Sequence, residues 1–124
     1  MNHSMSLAAE PFEMLKNGSK RLELRLFDEK RRAVSFGDVI TFSKLPDRSE
    51  SVRVKVTGLL KARTFDEITR IVDPSCLGYP KAEPALLAEK MREYYSSEEE
   101  AAEGVLGIKM CLLDRKTSAA LSLS

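Results

Sequence analysis

Apolar and polar residues alternate with a period of two in several separate runs, and each run predicts a strand with one covered face. At the N-terminus His3, Met5 and Leu7 alternate with Asn2, Ser4 and Ser6. The clearest run spans Arg21 to Phe27, with Leu22, Leu24 and Leu26 on a core face and Arg21, Glu23 and Arg25 on a wet one. Val39 to Ser43 is β-branched and aromatic, as a strand requires. Val52, Val54 and Val56 alternate with Arg53, Lys55 and Thr57, and this strand continues to about Arg63 with Gly58 as a bulge or bend. In the last run, Val105 to Leu113, Leu106, Ile108, Met110 and Leu112 share one face while apolar residues are common on the other. That double apolarity predicts a central place in the sheet.

Helical spacing is confined to short stretches between these runs. Pro11 suits a first turn, Phe12 and Leu15 share a face, and Asn17-Gly18 supplies a left-handed stop, which predicts a helix over Ala9 to Asn17. Thr64 and Glu67 have capping-box spacing ahead of Phe65, Ile68 and Ile71, and Asp73-Pro74 ends that helix. Leu87, Met91 and Tyr94 recur at helical intervals, and Ser97 with Glu100 forms a second capping box before a short helix stopped by Gly104. Asp28 to Arg32 and Pro46-Asp47 read as turns, and Pro74 to Pro84 as an irregular connection of the kind that often carries function. Strands that outnumber short helices, in mixed order, predict an α+β domain whose sheet curls to protect its edges.

A chain of 124 residues with 43% hydrophobic and 31% charged positions suits one packed domain. We place that domain at residues 1–115, with 116–124 as a flexible C-terminal tail. Twenty basic residues against 19 acidic ones leave a net charge of +1, so any polyanion site must arise from local segregation of charge. No apolar run approaches the ~20 residues of a bilayer span, and no basic-then-apolar leader opens the chain, which predicts a cytoplasmic protein with no membrane partner. Cys76 and Cys111 lie outside any CxxC or Cys/His cluster, so two reduced thiols and no metal are expected, with a disulfide as the lesser alternative. His3 is the sole histidine and reads as a partly covered terminal residue, which weighs against a Ser-His-Asp or Cys-His triad.

Pro11-Phe12, the run Gly18-Ser19-Lys20-Arg21-Leu22-Glu23-Leu24-Arg25-Leu26, the charged Asp28 to Arg32 and then Gly37-Asp38 resemble the ASCH family, whose hallmark is G-x-K-x-x-E-x-R. Tyr94-Tyr95-Ser96, Glu98 to Glu100, Gly104 and Val105-Leu106-Gly107-Ile108 extend the likeness, which covers about residues 3 to 114. The resemblance implies a PUA-like mixed β-barrel of five to six strands with flanking short helices, and a cleft near the hallmark segment. It also implies RNA binding, while members of the family include coactivator modules, a bacterial branch that hydrolyses N4-acetylcytidine, and a branch with reported ribonuclease activity.

On that footing Lys20 is a point charge for phosphate, Arg25 a planar fork and Glu23 an acceptor for base amino groups. An exposed Glu23–Arg25 ion pair of little energetic weight is the plainer alternative. An ideal strand places Lys20 on the opposite face from Glu23 and Arg25, so convergence requires a break near Gly18-Ser19. Lys30, Arg31 and Arg32 form a candidate phosphate-steering rim that Arg53 and Lys55 extend, and Tyr95 and Ser96 complete the ligand-binding set. Acids at Glu98 to Glu100 and Glu103 are read as companions of a helix N-terminus. In the hydrolases of the family the position of Glu23 is a threonine nucleophile, so amidohydrolase chemistry here would need Lys20 and Glu23 to act as acid and base on water. The expected partner is RNA or a nucleoside or nucleotide, with no cofactor. A small hydrolase and a protein-interaction module remain as alternatives, and the oligomeric state stays open.

Overall fold

Strands β1 (Asn2–Leu7), β2 (Leu22–Leu26), β3 (Val39–Lys44), β4 (Ser51–Ala62) and β5 (Val105–Leu112) form one sheet in the order β1-β3-β4-β5-β2. The structure is a computed structural model that describes residues 1–113. The predicted tail at 116–124, and with it the end of the predicted domain, lies outside the described residues. β1 pairs in parallel with β3 and every other pairing is antiparallel, so the sheet is mixed. It curls into a half-barrel flanked by helices, the α+β architecture expected, with five strands. β5 lies between β4 and β2, the interior position its two apolar faces predict.

Curling creates an inside and an outside, and each holds a separate core. Inside, Ile40 and Phe42 of β3, Val54 and Val56 of β4 and Ile108 of β5 are closed off by Phe12 and Leu15 of α1 (Ala9–Lys16). Outside, Leu22, Leu24 and Leu26 of β2 pack with Phe65 and Ile68 of α3 (Phe65–Ile71) and Leu87 of α4 (Pro84–Met91). For this numbering α2 is the single turn Glu29–Arg32 and α5 is Ser97–Glu103. The bulge predicted at Gly58 falls between Val56 and Gly58 and reverses the facing of β4. Val52, Val54 and Val56 belong to the inner core, whereas Leu60 and Ala62 beyond the bulge join the outer one. α3 rests directly on β5 at Gly107, where a Cβ would stand 3.0 Å from Ile68 Cδ1.

Three local predictions change in the folded chain. Asp28 to Arg32 is a helical turn, because the Asp28 side chain caps it by accepting from Arg31 N. The second capping box sits one residue earlier than read: Ser96 and Glu99 make the reciprocal bonds, not Ser97 and Glu100. Glu100 is thereby free for a tertiary task. It is 4% exposed and accepts from Phe65 N at 2.6 Å, from Arg92 Nε at 3.1 Å and from Arg92 Nη2 at 3.0 Å. At α3 the Thr64 cap forms as predicted, while the Glu67 carboxylate reaches Arg63 N.

His3 lies on β1 with a buried side chain whose Nε2 is 2.8 Å from Asp38 Oδ2, and Ser35 N donates to the same oxygen at 2.9 Å. The bond to His3, aided by Ser35 and opposed by burial, holds the Asp38 carboxyl at about 2, below its ordinary 3.8. A carboxyl more acidic in the folded than in the unfolded state adds stability that is complete above the unfolded value and vanishes as pH falls through the folded one. Melting temperatures of the protein and of Asp38→Asn are therefore expected to differ at neutral pH and to converge as pH drops from 3.8 toward about 2. A gap that stays constant across that interval would show that ionised Asp38 is not its source.

Candidate functional site

A cavity of about 310 Å³ opens where the two edges of the curled sheet approach one another. The end of β1 and first turn of α1 form one side, Lys20 and β2 the floor, and Leu77, Tyr79 and α4 the other side. Such a volume stands at the lower end of the roughly 300–1,000 Å³ typical of small-molecule sites, enough for one nucleoside-sized group.

The floor is made by Lys20, Glu23 and Arg25. Gly18 turns the chain with φ +89°, and Lys20 precedes β2 in an isolated bridge with Leu77, so it is released from the strand's alternation. Its Nζ donates to Leu22 O at 2.9 Å and lies 3.0 Å from Glu23 Oε1. Arg25 Nε donates to Glu23 Oε2 at 2.5 Å, and its Nη2 donates to Ser6 O at 2.7 Å. That last bond ties β2 to β1 across the gap. The three side chains are 7%, 7% and 12% exposed, so this is a buried ionic cluster and not the solvent-facing pair considered above.

The expectation that one face of β2 is wet is therefore corrected. Leucines on one face pack against α3 and α4, and the charged face points into the half-barrel, where the Arg25 guanidinium carbon lies 6.0 Å from the centre of the Phe42 ring. Burial by itself would push the Glu23 carboxyl up, but the Lys20 and Arg25 charges outweigh it and hold the group below the usual carboxylate range. Burial likewise works against the Arg25 charge, and Glu23 more than offsets it. The floor thus carries two cations and one anion, a local excess of one positive charge.

All three tyrosines line the cavity. Tyr95 is held by a stack on buried Phe65, with ring centres 5.7 Å apart and planes inclined by 17°. The Tyr79 hydroxyl donates to Glu10 Oε1 at 2.9 Å, bridging from the irregular connection to α1, and Lys90 Nζ stands 5.3 Å from its ring centre. Burial first, and Glu10 second, push the Tyr79 phenol up to about 12. Tyr94 is mostly exposed at the rim.

Of the residues selected from sequence, Lys20, Glu23, Arg25 and Tyr95 come together, while Lys30, Arg31, Arg32 and Ser96 do not line the cavity. Arg31 pairs with Asp28 at 3.1 Å, and Arg32 donates to Phe27 O at 2.8 Å and to Glu103 at 3.2 Å, so these guanidinium groups secure α2. Lys30 is exposed on that helix. Ser96 caps α5, and Arg53 and Lys55 project from the exposed face of β4. Sequence reasoning did not select Glu10, Ser6 or Lys90, which no local pattern distinguishes from other surface residues. The Pro74 to Pro84 connection, flagged as a functional loop, does supply Leu77 and Tyr79.

Known proteins resemble this architecture over nearly its whole length. The crystal structure of hypothetical protein PH0355 matches with a TM-score of 0.80 and 30% identity, covering 91% of this chain and all (100%) of that one. The solution structure of protein PF0455 from Pyrococcus furiosus matches at 0.72 and 29% identity, covering 92% and 99% of the two chains. An ASCH domain from Lactobacillus crispatus aligns at 0.58 over 90% of this chain and 79% of its own, and at 12% identity that likeness shows the fold alone. No curated protein matches the chain. The model of the ASCH domain family matches residues 5–113, and the chain belongs to that family.

Proposed function

We propose that this ASCH domain binds RNA or a free nucleotide by enclosing one nucleoside unit in the seam cavity above Lys20, Glu23 and Arg25. The observation that carries the reading is the convergence of these three charged side chains on the floor of a cavity walled by leucine, methionine and tyrosine. An apolar wall with a few fixed polar groups is the usual design of a small-ligand site. The family to which the chain belongs is thought to bind RNA, which agrees with a nucleotide-sized pocket.

A catalytic use of Lys20 and Glu23 has less support. Proton transfer at neutral pH works best with a group that titrates near neutrality, whereas Glu23 is clamped in its charged form by two cations. Glu23 is better suited to orient a ligand than to exchange protons with it.

Titration calorimetry with nucleosides, nucleotides and short RNAs is expected to give saturable binding. Lys20→Ala, which leaves Glu23 paired with Arg25, is expected to weaken it about tenfold, the worth of one charge-assisted hydrogen bond. Absence of saturable binding would refute the proposal, and an unchanged affinity in a correctly folded Lys20→Ala protein would remove the ligand from this cavity.

A further inference from the structure

The outer face of the sheet is covered over only half its extent. Leu22, Leu24 and Leu26 of β2, Val105 of β5 and Leu60 and Ala62 of β4 pack with α3 and α4. Before the Gly58 bulge, β4 instead turns Ser51, Arg53, Lys55 and Thr57 outward, all exposed. β5 changes in the same way, from buried Val105 and Gly107 to exposed Lys109 and Cys111. Register joins the two rows: Lys55 lies opposite Cys111, and Lys109 opposite Gly58. The Lys109 stem crosses that glycine, where a Cβ would stand 3.1 Å from Lys109 Cδ.

Although the chain has 19 acidic residues, β1, β3, β4 and β5 contain none. The uncovered face therefore carries Arg53, Lys55 and Lys109 with no carboxylate on its strands. Lys55 and Lys109 have no carboxylate partner among the described residues. The acids just before β4 are already engaged, Asp47 by Ser49 and Glu50 by Lys16 and Lys44. Toward β1, Arg48 Nε donates to Ser6 Oγ at 3.1 Å, while Ser6 O receives Arg25 from the cavity floor, so the cationic face begins beside the seam.

Resting on the reading of the cavity above for the nature of the polymer, we propose that this face carries the phosphodiester backbone of a single RNA strand, one unit of which occupies the cavity. Successive outward residues of a β-strand stand about 7 Å apart, so Arg53 and Lys55 meet different phosphates of an extended strand. Lys109 adds a third cation from the neighbouring strand, and the serine and threonine hydroxyls donate to phosphate oxygens. The strand is unpaired because a base held in the cavity has left any stack. A protein partner would need apolar or aromatic anchors, and none of the large exposed apolar side chains, Phe36, Ile71, Leu86 and Tyr94 among them, lies on these strands.

The test compares a nucleoside monophosphate, a single-stranded RNA of about twelve nucleotides and poly-glutamate as ligands of the full chain, by calorimetry over a range of salt concentrations. RNA is expected to bind more tightly than the mononucleotide and with the steeper salt dependence. Lys55→Gln combined with Lys109→Gln is expected to weaken RNA binding about tenfold or more near ~0.1 M salt and to flatten the logarithmic salt slope by about 1.4, the release expected for two phosphate contacts. The mononucleotide should bind this variant as it binds the native protein. Lys30→Gln combined with Arg70→Gln removes two exposed charges elsewhere and should leave RNA affinity nearly unchanged. An equal loss in both double variants would reduce the effect to net charge and overturn the proposal, as would an unaltered salt slope in the first. Poly-glutamate binding as tightly as RNA would overturn the assignment of the polymer. A mononucleotide bound as tightly as the RNA overturns the face and leaves the cavity intact. RNA binding that falls with Lys55 and Lys109 but not with Lys20→Ala supports the face and removes the cavity reading. No binding of any of these ligands overturns both.

Discussion

Replacing Glu23 with alanine is expected to cost about 3–5 kcal/mol of folding stability, the usual penalty for removing one partner from a buried ionic cluster. Glu23 is the only anion of the floor cluster, and its loss leaves Lys20 at 7% and Arg25 at 12% side-chain exposure without the carboxylate that pairs with both. Water entering the cavity would relieve part of this repulsion, and the remainder appears as a lower midpoint in urea denaturation. A second substitution, Lys20→Met on the Glu23→Ala background, is expected to recover part of the loss because it removes one stranded charge while filling similar volume. A single-mutant loss below about 1 kcal/mol, the scale of an exposed ion pair, would mean that the floor is solvated and the reading of a buried cluster is wrong.

Glu100→Ala is expected to cost about 3 kcal/mol, whereas the same change at neighbouring Glu99 should cost about 1 kcal/mol, the ordinary worth of a helix cap. The difference lies in what each carboxylate touches. Glu99 closes the capping box of its own helix at an exposed site. Glu100 is buried and gathers the first backbone N–H of α3 together with the guanidinium of Arg92, which also pairs with Asp66 at 3.1 Å. Removing it leaves the Phe65 N–H without a partner at the edge of the outer core, although Arg92, a third exposed, still reaches water and Asp66. Thermal or urea unfolding of the two variants side by side measures this. Equal losses would show that Glu100 acts only within α5.

These two sites also mark what could be read from the chain and what could not. The strands were legible because a period of two survives whatever covers each face, and the Gly58 irregularity and the Thr64 cap were legible because both depend on neighbours within a few residues. Pairs at capping-box spacing occurred twice near Ser96, however, and nothing local distinguishes Ser96 with Glu99 from Ser97 with Glu100. The docking of α5 against α3 decided it, by burying Glu100 on Phe65 N.

The same limit explains the candidate site. Local sequence determined that Lys20, Glu23 and Arg25 belong to one segment around β2, and that the leucines and the charged residues of that strand occupy opposite faces. It did not determine which face turns inward. Only the tertiary structure settled that, because α3 and α4 cover the leucines and curling of the sheet brings β1 close enough for Ser6 O to receive Arg25. Likewise, Arg31 and Arg32 look like free cations in a linear chain, and their partners become evident once α2 is folded and Glu103, far away in sequence, is brought beside it. Alternation and capping are short-range properties carried by consecutive residues, whereas burial, charge pairing and the cavity depend on contacts between segments that only folding brings together.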